Sequence, residues 1–157
     1  MAGRVVFAVA AWLFLVGVLV QVFLAGVGVF ELADWTAHAG LGWALGSAPI
    51  LLVLFALVAG VGRSTVLLTV ALMIAAIIQP ELAAARREAP VVAALHPVNA
   101  LLVFWLAWVV ARRATEAVRE SRSRRGTGSS PRPATGLPTA VAAMPPDGPS
   151  AASGDHA

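Results

Sequence analysis

The sequence predicts an all-α membrane protein: a four-transmembrane-helix up-down bundle over residues 1–114, then a disordered cytoplasmic tail over residues 115–157. Three observations predict it. Hydrophobic residues make up 59% of the chain and charged residues only 12%, where a soluble domain is nearer half apolar and about a quarter charged. The charges fall almost entirely outside a few long apolar runs, so the surplus of apolar surface has to face lipid. After Ala114 the apolar pattern stops, and Ser, Gly, Pro and Ala dominate.

A helix needs about 20 apolar residues to cross the hydrocarbon. Val5 to Phe30 carries no charge and is too long for the apolar region of a signal peptide, about 7–15 residues, so it reads as a retained first helix, 5–30. Trp35 to Ala59 supplies the second, in which Pro49 frees the carbonyl of Leu45. Ser64 to Gln79 would span only about 24 Å at the helical rise, so the third helix is expected to continue past Pro80 to Ala85. The fourth is placed at 90–111. Beginning it at Pro97 would leave about 21 Å to Val110 against a core of about 30 Å. His96 is therefore expected inside that helix, about one and a half turns from its end. Pro97 should then leave the carbonyl of Ala93 without its usual partner and kink the helix.

Arginine placement sets the orientation. Both termini and the loop between helices 2 and 3 share one side, with Arg4, Arg63, Arg112, Arg113, Arg119, Arg122, Arg124, Arg125 and Arg132; the other side has Arg86 and Arg87. The Arg-rich side is expected to be cytoplasmic, N-in and C-in. The absence of Lys and the abundance of Ala, Val, Gly and Pro suggest a GC-rich bacterial gene, hence a bacterial cell membrane. With no cysteine, disulfides, thiolate metal sites and cysteine nucleophiles are excluded. The tail cannot bury enough surface to offset its ordering entropy; a helical extension to about Arg119 is expected, then disorder. The cluster from Arg112 to Arg125 should lie against anionic lipid headgroups of the bilayer. Nucleic acid is not an expected partner, since no aromatic interleaving or recognisable module accompanies the arginines.

Intramembrane polar groups are costly and usually face a bundle interior. They are Gln21, His38, His96 and Asn99, with Gln79 near a helix end. His38 lies about 4.5 Å and His96 about 9 Å inside the outer ends of helices 2 and 4, which are diagonal partners in an up-down bundle. Two imidazoles at one level, facing across a bundle, suit the axial positions of a haem iron. Gly42 and Gly46 follow His38 on one face, and Gly17, Gln21, Leu24 and Gly28 form a stripe on helix 1. Such glycines would let a macrocycle approach the backbone, or simply pack helices closely. Asn99, on the face of His96, either orients the ligand, accepts the duty of bonding the Ala93 carbonyl, or makes an interhelical bond. Gln21 touches the pocket or bridges helices, and Met73 is an alternative ligand or packing. Trp35 and Trp108 read as interfacial residues.

Three stretches carry a resemblance: "QVFLAGVGVF" at Gln21–Phe30, "WTAHAGLGWALG" at Trp35–Gly46 and "LHPVNALLVFWLAWVVARRA" at Leu95–Ala114. Together they resemble a family of small, uncharacterised bacterial four-helix membrane proteins, over about residues 5–114. More distantly, the layout is similar to one half of haem A synthase, a four-helix unit whose second and fourth helices carry haem-ligating histidines. The resemblance places His38 and His96 in the ligand positions. That enzyme has two such halves and a glutamate shortly before the helix 2 histidine; here there is one half, and Glu31 and Asp34 lie farther back. The resemblance thus implies a haem-holding half-bundle rather than haem A synthesis.

The expected function is that of a b-type cytochrome-like protein binding haem b through His38 and His96. Gly42, Asn99 and Gln21 would lie near the pocket, and Arg86 and Arg87 would face the acidic groups of the haem. Electron transfer with a quinone or a membrane redox partner would follow, and the chain is not expected to be an enzyme by itself. The alternative is a cofactor-free structural or accessory protein acting by helix packing. A transporter or channel ranks last, because only Glu81 approaches a helix core. Homo-oligomerisation is left open.

Overall fold

The computed structural model describes residues 1–127. Its helices are α1 (Ala2–Val29), α2 (Thr36–Val58), α3 (Arg63–Ala84), the single turn α4 (Pro90–Ala93) and α5 (Leu95–Thr127). Four spans, with α4 and α5 counted as one, are long and apolar enough to cross a membrane, which makes this a multi-pass membrane protein by the length and composition of its helices. The long helices form a ring in which α1 packs on α2 and α5, and α3 packs on the same two. The backbones of the diagonal pairs, α1 with α3 and α2 with α5, do not come close to each other.

The apolar runs have large residues on every face, so most of that surface has nowhere to go but outward. Leu13, Phe23, Trp43, Val58 and Leu101 are among the exposed large hydrophobics, as a lipid-facing shell requires. The interior is built from a narrower set. Phe7 and Phe14 of α1, Leu52 and Ala56 of α2, Leu72 of α3 and Val110 of α5 are buried, with Thr69 among them donating its hydroxyl to Thr65 O at 2.8 Å. Small residues such as Ala11, Ala76, Ala107 and Ala111 complete the core and let helices approach closely.

This core occupies the Arg-rich end and the middle of the bundle. At the opposite end, beyond Val18, Ala76 and Gly46 and before Val103, Gly28 is the one buried residue among those described. Gln21, His38, Gln79, His96 and Asn99 all lie in that end and are half-buried.

The Arg-rich end is tied by Arg4. Its guanidinium donates to Ala59 O at 3.3 Å and Gly60 O at 3.2 Å, where α2 ends, and to Ala117 O at 3.2 Å and Ser121 Oγ at 2.9 Å on α5. At Gly3 a Cβ would come within 3.3 Å of Ala59 Cα, so glycine permits the close crossing of α1 past the end of α2. On the other face Trp12 donates to Thr115 Oγ1 at 3.0 Å and meets Trp108 edge-on at 6.0 Å.

α1 and α2 end alike. Leu32 N donates to Val27 O and Glu31 N to Gly28 O after α1; Val61 N donates to Ala56 O and Gly60 N to Leu57 O after α2. Both are Schellman closures, which place one residue in the left-handed region. Gly60 does so at φ 58°, and Glu31 at φ 57°. Asp34 then starts α2: its Oδ1 accepts the Thr36 N–H at 2.9 Å. The Thr36 backbone N–H and then its side chain hold the Asp34 carboxyl below the usual carboxylate range.

Two details differ from the expectation. The fourth span starts at Pro90 but is interrupted at Ala94, so His96 lies in the first turn of α5 rather than one and a half turns inside a helix. The reason is Pro97: it has no N–H to give to Ala93, and a first helical turn is where a missing N–H costs nothing. At its other end α5 does not stop near Arg119 but runs to Thr127. Arg4 holds that extension at Ala117 and Ser121, and Glu120 stands four residues before Arg124, a favourable helical spacing. The expected disorder from residue 128 onward lies outside the described residues.

Candidate functional site

The half-buried polar groups form two clasps of one design. In the first, α1 and α2 are joined by Gln21 and His38. The Gln21 carboxamide donates from Nε2 to His38 O at 2.8 Å, while the same Nε2 lies 3.4 Å from His38 Nε2. The imidazole returns the bond: His38 Nδ1 lies 3.2 Å from Gln21 O. In the second, α3 and α5 are joined by Gln79 and His96. Gln79 Nε2 donates to His96 O at 2.9 Å and lies 3.4 Å from His96 Nε2; His96 Nδ1 lies 3.0 Å from Gln79 O. Each glutamine precedes its histidine by 17 residues.

The partners assign the tautomers. A main-chain carbonyl can only accept, so Nδ1 carries the proton in both rings, and Nε2 holds the lone pair that the glutamine N–H faces.

Beyond this shared plan the clasps differ. Asn99, three residues past His96, donates from Nδ2 to Ala75 O at 2.8 Å and to Gln79 Oε1 at 2.5 Å. Three residues past His38 stands Leu41, which has no such donor. Gln21 Oε1 is accordingly buried with no hydrogen-bond partner. The first clasp has a different neighbour: Trp35 meets the His38 ring edge-on at 5.4 Å. Its indole also lies where a Cβ on Gly28 would come within 2.8 Å.

Each expected site residue can now be placed. His38 and His96 sit on the diagonal helices α2 and α5, but each is bonded to the neighbouring helix of its own hairpin rather than across the bundle. Gln21 bridges α1 to α2. Asn99 makes an interhelical bond and orients Gln79; it does not bond the Ala93 carbonyl, and neither does the His96 ring, because α3 offers both of them acceptors. The glycines seat neighbouring side chains. A Cβ on Gly42 would meet Gln21 Nε2 at 2.9 Å, and one on Gly17 would meet Leu45 Cδ2 at 2.9 Å. Arg86 and Arg87 are exposed in the turn after α3, at the same end as the clasps. Met73 is half-buried in α3.

Gln79 is the residue that reading along the sequence undervalues. Its depth near a helix end suggests nothing. The signal is a repeat: the separation from Gln21 to His38 recurs from Gln79 to His96.

A family model described as a family of unknown function (DUF6220) matches residues 21–85. The match covers Gln21, His38 and Gln79 and ends before His96. No curated protein matches the chain, and no solved structure does.

Proposed function

We propose that the protein is an integral membrane haem-binding protein of the b-type cytochrome kind, with His38 and His96 as axial ligands of haem b and a quinone or membrane redox partner for its electrons. One observation carries the reading. Both imidazoles hold Nδ1 on a main-chain carbonyl, the outer bond that fixes tautomer and ring orientation in metal-ligating histidines and leaves Nε2 as the donor. The two rings lie on diagonal helices at one end of the bundle. Arg86 and Arg87 would be the partners for the acidic groups of haem, at an end that also carries the carboxylates of Glu31, Asp34, Glu81 and Glu88. The 3.4 Å from each glutamine Nε2 to its histidine Nε2 is long for a hydrogen bond, and each carboxamide has to turn away for Nε2 to ligate. Haem, when bound, supplies one-electron chemistry; the chain supplies binding and orientation.

The test is the visible spectrum of the detergent-purified protein, expressed with ample haem, oxidised and dithionite-reduced. A Soret band and a six-coordinate low-spin spectrum are expected, and His38→Ala and His96→Ala should each abolish the low-spin form. Wild-type protein with no Soret band, or histidine variants with unchanged spectra, overturns the reading.

The cofactor-free alternative has its own observation. In each hairpin glutamine and histidine already bond each other in both directions, which is enough to staple two helices in lipid. A colourless wild type, with both histidine variants lowered in thermal stability, would make that the better account.

A further inference from the structure

The two clasps are copies of one device on two like hairpins. α1 stands diagonal to α3 and α2 to α5, so about half a turn around the bundle axis carries the first hairpin onto the second. It carries Gln21 onto Gln79, His38 onto His96, Gly17 onto Ala75 and Leu41 onto Asn99. The last of these correspondences breaks the equivalence. In the second clasp Asn99 spans from Ala75 O to Gln79 Oε1 and locks the carboxamide with its N–H over His96 Nε2. In the first, Leu41 offers nothing, and the buried Gln21 Oε1 has no partner. Turning the Gln79 carboxamide away from its histidine breaks the bond to Asn99 as well as the bond to His96 O. Turning that of Gln21 breaks only the bond to His38 O, and it gives Oε1 the chance to find a donor, which a buried acceptor strongly favours.

We propose that only the first clasp opens readily: His38 Nε2 is the nitrogen that first takes an electrophilic ligand, a haem iron on the reading above, while Asn99 holds Gln79 over His96 as the guarded position. The metal as ligand rests on the haem reading; the difference between the clasps does not. Asn99 is on this account a positioning residue, acting on His96 through Gln79.

The probe is diethyl pyrocarbonate, a small uncharged acylating agent that reacts with the lone-pair nitrogen of neutral imidazole. It is applied to the full-length protein in detergent without added haem, and the extent of reaction at each histidine is read by peptide mass spectrometry. Each histidine is compared with itself across variants, so that Trp35 beside His38 does not enter the comparison. Asn99→Leu should raise the His96 rate about five- to tenfold, the worth of one hydrogen bond, and leave His38 unchanged. Leu41→Asn installs the counterpart and should slow His38 by a similar factor. An unchanged His96 rate in Asn99→Leu overturns the proposal. So does a rise that Asn99→Leu produces equally at both histidines, which is what general loosening would give. If Leu41→Asn does not fold, the Asn99→Leu ratio decides alone. Haem-loaded protein adds a second readout: His96→Ala should keep haem in a five-coordinate form, and His38→Ala should lose it. A colourless wild type with the labelling pattern intact removes the haem reading and keeps the unequal clasps. A Soret band with equal, Asn99-independent labelling does the reverse.

Discussion

At Glu31 the backbone does what glycine does at Gly60. Both residues close a Schellman turn at positive φ, and a side chain there costs about 1 kcal/mol or more through the contact of Cβ with the following carbonyl oxygen. Glu31→Gly should therefore raise the thermal midpoint in detergent, by about 1 kcal/mol less the entropy gained by the unfolded chain, and Gly60→Ala should lower it by a similar amount. A Glu31→Gly variant no more stable than wild type would show the left-handed turn to be unstrained. Residues of this kind are poorly legible in a sequence. Gly60 announces a helix end, but nothing in "VFELADW" singles out Glu31 over its neighbours. The histidines are legible because imidazole in an apolar run is rare. Gln79 is not, because its meaning lies in a partner 17 residues away and not in its own surroundings.

At the scale of helices, apolar run length predicts α1, α2 and α3 well, because lipid leaves the backbone no alternative to helix. What it does not predict is how the last span divides. Pro97 moves the start of α5 to Leu95 and leaves α4 as a turn of its own. Proline tells where a bond is missing, but which residues respond depends on neighbours: α3 provides carbonyls at Ala75 and Gln79 that engage Asn99 and His96. Pro97→Ala restores an N–H opposite Ala93 O and should merge α4 with α5. A spin-label pair at Val91 and Leu101 would read this as a longer, narrower distance; on the haem-binding proposal, haem retention should also fall without being lost. An unaltered distance would locate the cause of the break in the packing on α3 instead.

The whole molecule has one well-packed end and one polar end, and the positive-inside rule predicts that the Arg-rich, well-packed end faces the cytoplasm. Cysteines introduced at residues 32 and 87, one in each connection at the polar end, are expected to react with a membrane-impermeant reagent on intact cells; reaction only after permeabilisation would invert the topology. The bundle as a class was legible from composition and charge alone, since the sequence has too much apolar surface for a soluble core. The division of the site into two self-contained pairs was not, because depth along a helix does not say toward which neighbour a side chain turns. That division bears on biogenesis. Glutamine and histidine are expensive in hydrocarbon when unpaired, and here each pair is completed within one helical hairpin, α1 with α2 and α3 with α5. A hairpin leaving the insertion machinery already carries the partners for its own amide and imidazole. The two hairpins can thus enter the bilayer one after the other, while the apolar seam, the bonds of Arg4 to α5 and the Trp12–Thr115 bond wait for the second to arrive.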